Sequence, residues 1–122
     1  MELSRYNYLG NSNIGFYATV TNSQAIFPPE FKEKEIFEAE DVETYVARTR
    51  LVGLFTAGNS NSILVPDVVT DIEKKKMDEA GIDFTEISAK ETALGNLILA
   101  NDNGAVISKT LEEQKEKIED AL

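Results

Sequence analysis

The side chains that most often carry chemistry are missing from this sequence, which has no histidine and no cysteine. Without an imidazole there is no general base poised near neutral pH, no serine–histidine–acid triad and no histidine metal ligand. Without a thiol there is no thiolate nucleophile and no thiolate-bound metal. Catalysis would have to come from carboxylates, lysines, tyrosines or hydroxyls, and these need an activating constellation. The sequence offers none, so the residues to weigh are candidates for binding. No cofactor, catalytic residue or metal site is expected.

Three segments are candidates. Asn101-Asp102-Asn103-Gly104 opens like a calcium loop but lacks the spaced downstream oxygens and the bidentate glutamate of one. It reads as a tight hairpin turn. Lys74-Lys75-Lys76 is a basic run in an acidic chain. On a helix the three spread over more than half the circumference, so they read as exposed lysines offsetting Glu73, Asp78 and Glu79, with a peripheral phosphate contact as the alternative. Asn96 follows Gly95 directly, where the equivalent positions hold Phe16 and Leu54. Its amide either satisfies a local turn or is presented to a partner, and chemistry leaves both open.

The elements that position these residues repeat. Ile14-Gly15-Phe16, Val52-Gly53-Leu54 and Leu94-Gly95-Asn96 each open an apolar run, followed by a turn asparagine (Asn22, Asn59, Asn101) and a second apolar run. Gly15 to Gly53 spans 38 residues and Gly53 to Gly95 spans 42. Seven residues lead from the turn asparagines to Pro29, Pro66 and Ser108, and the first copy carries one extra residue before its asparagine, as a bulge would require.

Each copy reads as a hairpin followed by a helix. Thr70-Asp71-Ile72-Glu73 and Thr110-Leu111-Glu112-Glu113 are both capping boxes, in which threonine and glutamate satisfy orphan amides of the first turn. The second helix should end at Gly81, and the third should bury Leu111, Ile118 and Leu122. A first helix is expected after Pro29, burying Phe31, Ile36 and Phe37. Further strands are expected at 42–48 and 82–87, with 3–8 in the same role for the first copy. The repeat units fall at about 1–39, 40–81 and 82–122, in one α/β domain over 1–122.

With 12 basic and 22 acidic residues the net charge is −10. Such a field repels nucleic acid overall, so no DNA binding and only limited RNA contact are expected, and a basic protein partner fits better. Solubility alone is the plainer use of that charge. No apolar run is long enough to cross a bilayer, the first residues lack a signal-peptide core, and no cysteine points to an oxidising compartment. The expectation is a cytoplasmic protein without membrane association.

Leu51-Val52-Gly53, Gly58-Asn59-Ser60-Asn61, Leu64-Val65-Pro66 with Thr70-Asp71, and Ala93-Leu94-Gly95-Asn96 with Asn101-Asp102 together resemble the archaeal form of the translation initiation factor 6 family, along the whole chain. The resemblance implies a pentein fold of β-β-α-β units about a pseudo-fivefold axis, here three units of an incomplete ring. It implies binding to the intersubunit face of the large ribosomal subunit, beside the sarcin–ricin loop and against a basic ribosomal protein. It further implies a block on small-subunit joining, a part in large-subunit maturation, and no enzymatic activity. Carried over residue by residue, it places Gly15, Leu54 and Asn96 in ribosome-facing loops. For the glycines, backbone geometry at a turn is at least as good an explanation as direct contact.

Two other readings remain. A scaffold or fragment could oligomerise through the open ring edges, since unpaired strand edges invite pairing. A pentein enzyme acting on guanidine groups shares the architecture, but its chemistry needs the cysteine and histidine that this sequence lacks.

Overall fold

The computed structural model describes residues 3–122. Among the described residues the chain is mixed α/β, with eight short strands in three small sheets. In chain order the strands and helices are β1 (Thr19–Val20), β2 (Gln24–Phe27), β3 (Glu40–Glu43), α1 (Val52–Phe55), β4 (Ala57–Gly58), β5 (Ile63–Pro66), α2 (Asp71–Glu79), β6 (Phe84–Ile87), α3 (Leu94–Leu97), β7 (Ile98–Ala100), β8 (Ala105–Ile107) and α4 (Lys115–Ala121).

The first two sheets share one plan. β1 and β2 are antiparallel and β3 joins β2 in parallel; β4 and β5 are antiparallel and β6 joins β5 in parallel. The third sheet has only the antiparallel pair β7 and β8. β2 and β5 are buried at every position, which is why Ala25–Phe27 and Ile63–Pro66 read as continuous apolar runs and not as alternating ones. Their two faces serve different cores. Ala25 and Phe27 pack with Tyr8 and Phe31, whereas Ile26 joins Val52, Ile63, Val65 and Met77. Leu64, on the other face of β5, packs with Ile87, Leu94, Leu111 and Ile118. Each central strand thus welds two neighbouring cores together.

The hairpin turns correct the expected alignment. Thr21 N donates to Gln24 O, Asn59 N to Ser62 O and Asn101 N to Gly104 O. The side-chain oxygens repeat the match: Thr21 Oγ1 accepts from the amides of Ser23 and Gln24, Asn59 Oδ1 from Asn61 and Ser62, and Asn101 Oδ1 from Asn103 and Gly104. The turn residue of the first copy is therefore Thr21 and not Asn22, so no extra residue or bulge is needed. A hydroxyl and a side-chain amide do the same work here, because both place an acceptor over the next two amides.

α2 starts and stops as the sequence requires. Thr70 Oγ1 accepts from Glu73 N while Glu73 Oε1 accepts from Thr70 N, completing the capping box, and Gly81 follows the helix at φ +77°. The third helix differs. Ser108 caps it, a 3-10 turn runs over Lys109–Gln114, and α4 follows, so Thr110 lies inside the winding and forms no box. Leu111 and Ile118 are buried as expected, and Leu122 packs against the same core.

The helix expected after Pro29 is reduced to a 3-10 turn over Lys34–Ile36. Glu30 and Glu33 sit at φ +69° and +60°, a left-handed conformation that breaks any α-helix. Phe31 is buried and Phe37 packs beside it, but Ile36 is exposed. The strand expected over 42–48 lies earlier, at β3, and completes the sheet of the preceding hairpin. The chain then turns through Ala47 and Arg48, both left-handed at φ +52° and +61°. Glu73 holds that turn: its buried carboxylate accepts from Ala47 N and Arg48 N, each at 2.9 Å. Residues 3–8 form no strand; only Tyr8 bridges to Asn11.

Candidate functional site

The three glycines of the repeat do not begin strands. Gly15 lies in a 3-10 turn (Ile14–Phe16), Gly53 in α1 and Gly95 in α3, and a short strand leaves each turn. The turns stack in a row, backbone on backbone. A methyl group on Gly53 would overlap the carbonyl oxygen of Gly15, and one on Gly95 would overlap the carbonyl oxygen of Gly53 and lie 2.9 Å from that of Leu54. Only glycine permits this approach. Gly15, at the free end of the row, has open space where its Cβ would be.

The row floors a shallow depression of about 260 Å³, lined by Asn13, Gly15, Phe16, Gly53, Gly95 and Asn96. Of the three residues expected to face a partner, Gly15 and Asn96 thus meet in one place. Leu54 is half-buried and outside the lining, with its carbonyl beneath Gly95. Asn13, Phe16 and Gly53 were not singled out by the sequence as contact residues. Phe16 is 43% exposed, and nothing in its spacing separates it from a core aromatic.

Asn96 resolves its two alternatives in part. Its backbone N–H closes the local turn onto Ala93 O at 3.0 Å, but its exposed side-chain amide makes no hydrogen bond among the described residues. The amide is free to meet a partner. No charged side chain lines the depression, which is notable in a chain of net charge −10. It can offer amide donors and acceptors, backbone carbonyls and one aromatic edge. The lining itself holds no titratable side chain.

The opposite ends of β1, β4 and β7 are tied together by Asp102. Its carboxylate accepts from Ser60 N, Ser60 Oγ and Asn22 Nδ2, each at 2.8 Å. These bonds, led by the Ser60 amide, hold its pKa below the ordinary aspartate value. Asn101–Gly104 is accordingly a hairpin turn whose acid cross-links three turns. The lysine run also has local partners: Lys74 pairs with Asp71 and Glu86, each at 3.5 Å, and Lys75 with Glu79.

The fold and site define an α/β protein with a rigid, uncharged face at one end of its short strands. The chain belongs to the eIF-6 family, whose model matches residues 3–122. It is 36% identical to translation initiation factor 6 of Thermococcus gammatolerans, over 100% of this chain and 59% of that protein. It is 38% identical to translation initiation factor 6 of Methanothermobacter thermautotrophicus, over 91% of this chain and 53% of that protein, and 35% identical to that of Staphylothermus marinus, over 100% and 59%. The chain thus spans little more than half the length of these archaeal relatives. No helix among the described residues is long and apolar enough to cross a membrane.

Proposed function

We propose that this chain is a ribosome-binding portion of a translation factor, which docks on the intersubunit face of the large ribosomal subunit and blocks small-subunit joining by occupancy. The observation that supports this reading is the exposed Asn96 amide, without a hydrogen bond among the described residues, beside glycine turns stacked backbone on backbone. A rigid face loses little entropy on docking, which favours steric exclusion over chemistry. The net charge of −10 suits a basic ribosomal protein near the sarcin–ricin loop, with limited contact to rRNA. The architecture in this reading is three β-β-α-β units of an incomplete pentein ring, acting in the cytoplasm and during large-subunit maturation, without enzymatic activity.

Sedimentation of purified archaeal large subunits through a sucrose cushion tests it. The chain should pellet with the subunits and reduce 70S formation when small subunits are added. Asn96→Lys, which puts a cation where a basic partner would sit, should abolish both effects while leaving the melting temperature unchanged. Chain left wholly in the supernatant, or Asn96→Lys pelleting like the parent, overturns the proposal.

A further inference from the structure

Arg48 occupies a backbone position that suits glycine better. Its φ is +61°, after Ala47 at +52°, and a side chain is disfavoured in that left-handed region. Glu73 imposes the conformation by accepting from Ala47 N and Arg48 N, so it holds backbone and not the arginine head. The Arg48 guanidinium makes no hydrogen bond and no ion pair among the described residues. Arg50, two residues on, is used inside the protein. It donates to Tyr8 Oη at 2.7 Å and Pro29 O at 3.2 Å, and lies 5.4 Å from the centre of the Tyr45 ring. Folding accounts for Arg50 and gives no reason for an arginine at 48.

Tyr45, Arg48, Thr70, Ile72, Glu73 and Lys76 line one groove of about 340 Å³. Tyr45 and Ile72 are its exposed apolar walls, Ile72 with 73% of its surface in water. Lys76 stands one turn after Ile72 on α2 and forms no ion pair among the described residues, whereas Lys74 and Lys75 have theirs. The one carboxylate in the lining is Glu73, buried and engaged by the amides of Ala47, Arg48 and Thr70. The groove thus joins two unpaired cations to an apolar surface, with no unengaged acid in its lining. It shares no residue with the glycine depression.

We propose that this groove binds a short acidic segment of a partner protein, with a carboxylate between Arg48 and Lys76 and a neighbouring apolar side chain against Tyr45 and Ile72. The Thr70 hydroxyl accepts from Glu73 N and keeps its proton to donate to that carboxylate. The rest of the charge favours a peptide over RNA. With a net charge of −10, a long polyanion meets repulsion wherever it leaves the groove. A short segment close to both cations is screened from charges more than about 8 Å away at physiological salt.

A blocked hexapeptide of alternating glutamate and leucine, titrated into the isotope-labelled chain, is the probe. Amide shifts should cluster at Arg48, Ile72 and Lys76. Lys76→Glu should weaken binding at least about fivefold, while Lys75→Glu, the same charge change one residue away, should leave it intact. Arg48→Gly should also bind about fivefold more weakly, yet melt no lower than the parent, because glycine suits the left-handed turn. The proposal is overturned if these amides are unmoved, if a glutamine-for-glutamate peptide binds as well, or if Lys75→Glu is as damaging as Lys76→Glu. It is equally overturned if Arg48→Gly binds like the parent, or melts below it, which would give Arg48 a structural role. A hexauridylate that shifts the same amides at lower concentration would assign the groove to RNA instead.

Discussion

Gly15, Gly53 and Gly95 occupy one position of the repeat, yet alanine should be tolerated at the first and damaging at the other two. The reason is the stacking of their turns. At Gly95 the added methyl would overlap the Gly53 carbonyl oxygen and stand 2.9 Å from the Leu54 oxygen, whereas ordinary contact begins near 3.4 Å. Both obstacles are backbone, so no side-chain rotamer can relieve them. One turn must move by roughly 1.5 Å, against the close packing on either side. At Gly53 the Gly15 oxygen is overlapped and the Ala18 oxygen lies at 2.8 Å. Overpacking of this kind costs about 3 kcal/mol, near the upper end of what small-to-large changes cause. For a chain of this length that corresponds to a fall in melting temperature of about 10–15 °C. At Gly15 nothing lies within 4 Å and φ is not positive, so Gly15→Ala should be neutral or raise stability by about 0.5 kcal/mol through the unfolded chain.

Thermal unfolding followed by circular dichroism at 222 nm, on the three alanine variants in parallel, separates these outcomes. A Gly53→Ala or Gly95→Ala variant melting within a degree or two of the parent would refute the stacking argument. So would a Gly15→Ala variant as destabilised as the other two. A Gly15→Ala variant that melts like the parent would also test the proposed docking face without the ambiguity of unfolding.

Glu73→Ala removes the acceptor for the amides of Ala47, Arg48 and Thr70, and should cost about 3 kcal/mol in chemical denaturation, since two of those amides belong to a left-handed turn with no ladder to join. Ser108→Ala should cost about 1 kcal/mol and Thr110→Ala less, because Ser108 caps the third helix; the reverse order in the same assay would restore the Thr110 capping box. Asp102→Asn should destabilise the chain at neutral pH by a margin that shrinks in acid. The folded pKa of Asp102 is lowered, so its contribution is present above the unfolded value of about 4 and is lost as pH falls through the folded one. Melting temperatures of parent and variant should therefore converge below about pH 4, and a constant gap down to pH 2 would exclude the ionised form as the cause.

What could be read from the sequence was whatever is decided within a few residues. The capping box at Thr70, the stop at Gly81 and the buried stripe through Leu111 and Ile118 depend on i to i+4 geometry, and the structure has them all. What was misread depends on partners distant in the chain. Residues 42–48 look like a strand, but Glu73 draws Ala47 and Arg48 into a left-handed turn from 26 and 25 residues away. Asn22 matches the turn asparagines by type, yet it spends its amide on Asp102, 80 residues on, and leaves the turn to Thr21. The glycines were legible as backbone positions, but not as a stack, because no single copy contains its neighbour.

The same distinction explains what the candidate site is made of. Its floor is three backbone turns that glycine alone allows to touch, and its free amide belongs to the one copy that breaks the repeat. A repeat repeats what folding needs. Departures from it, at Asn96 where the other copies carry Phe16 and Leu54, are not explained by folding needs, since the exposed Asn96 side chain makes no hydrogen bond among the described residues. There the pattern is broken and an amide is left free, on a face whose floor is fixed by the stacked glycine turns while its rim is not.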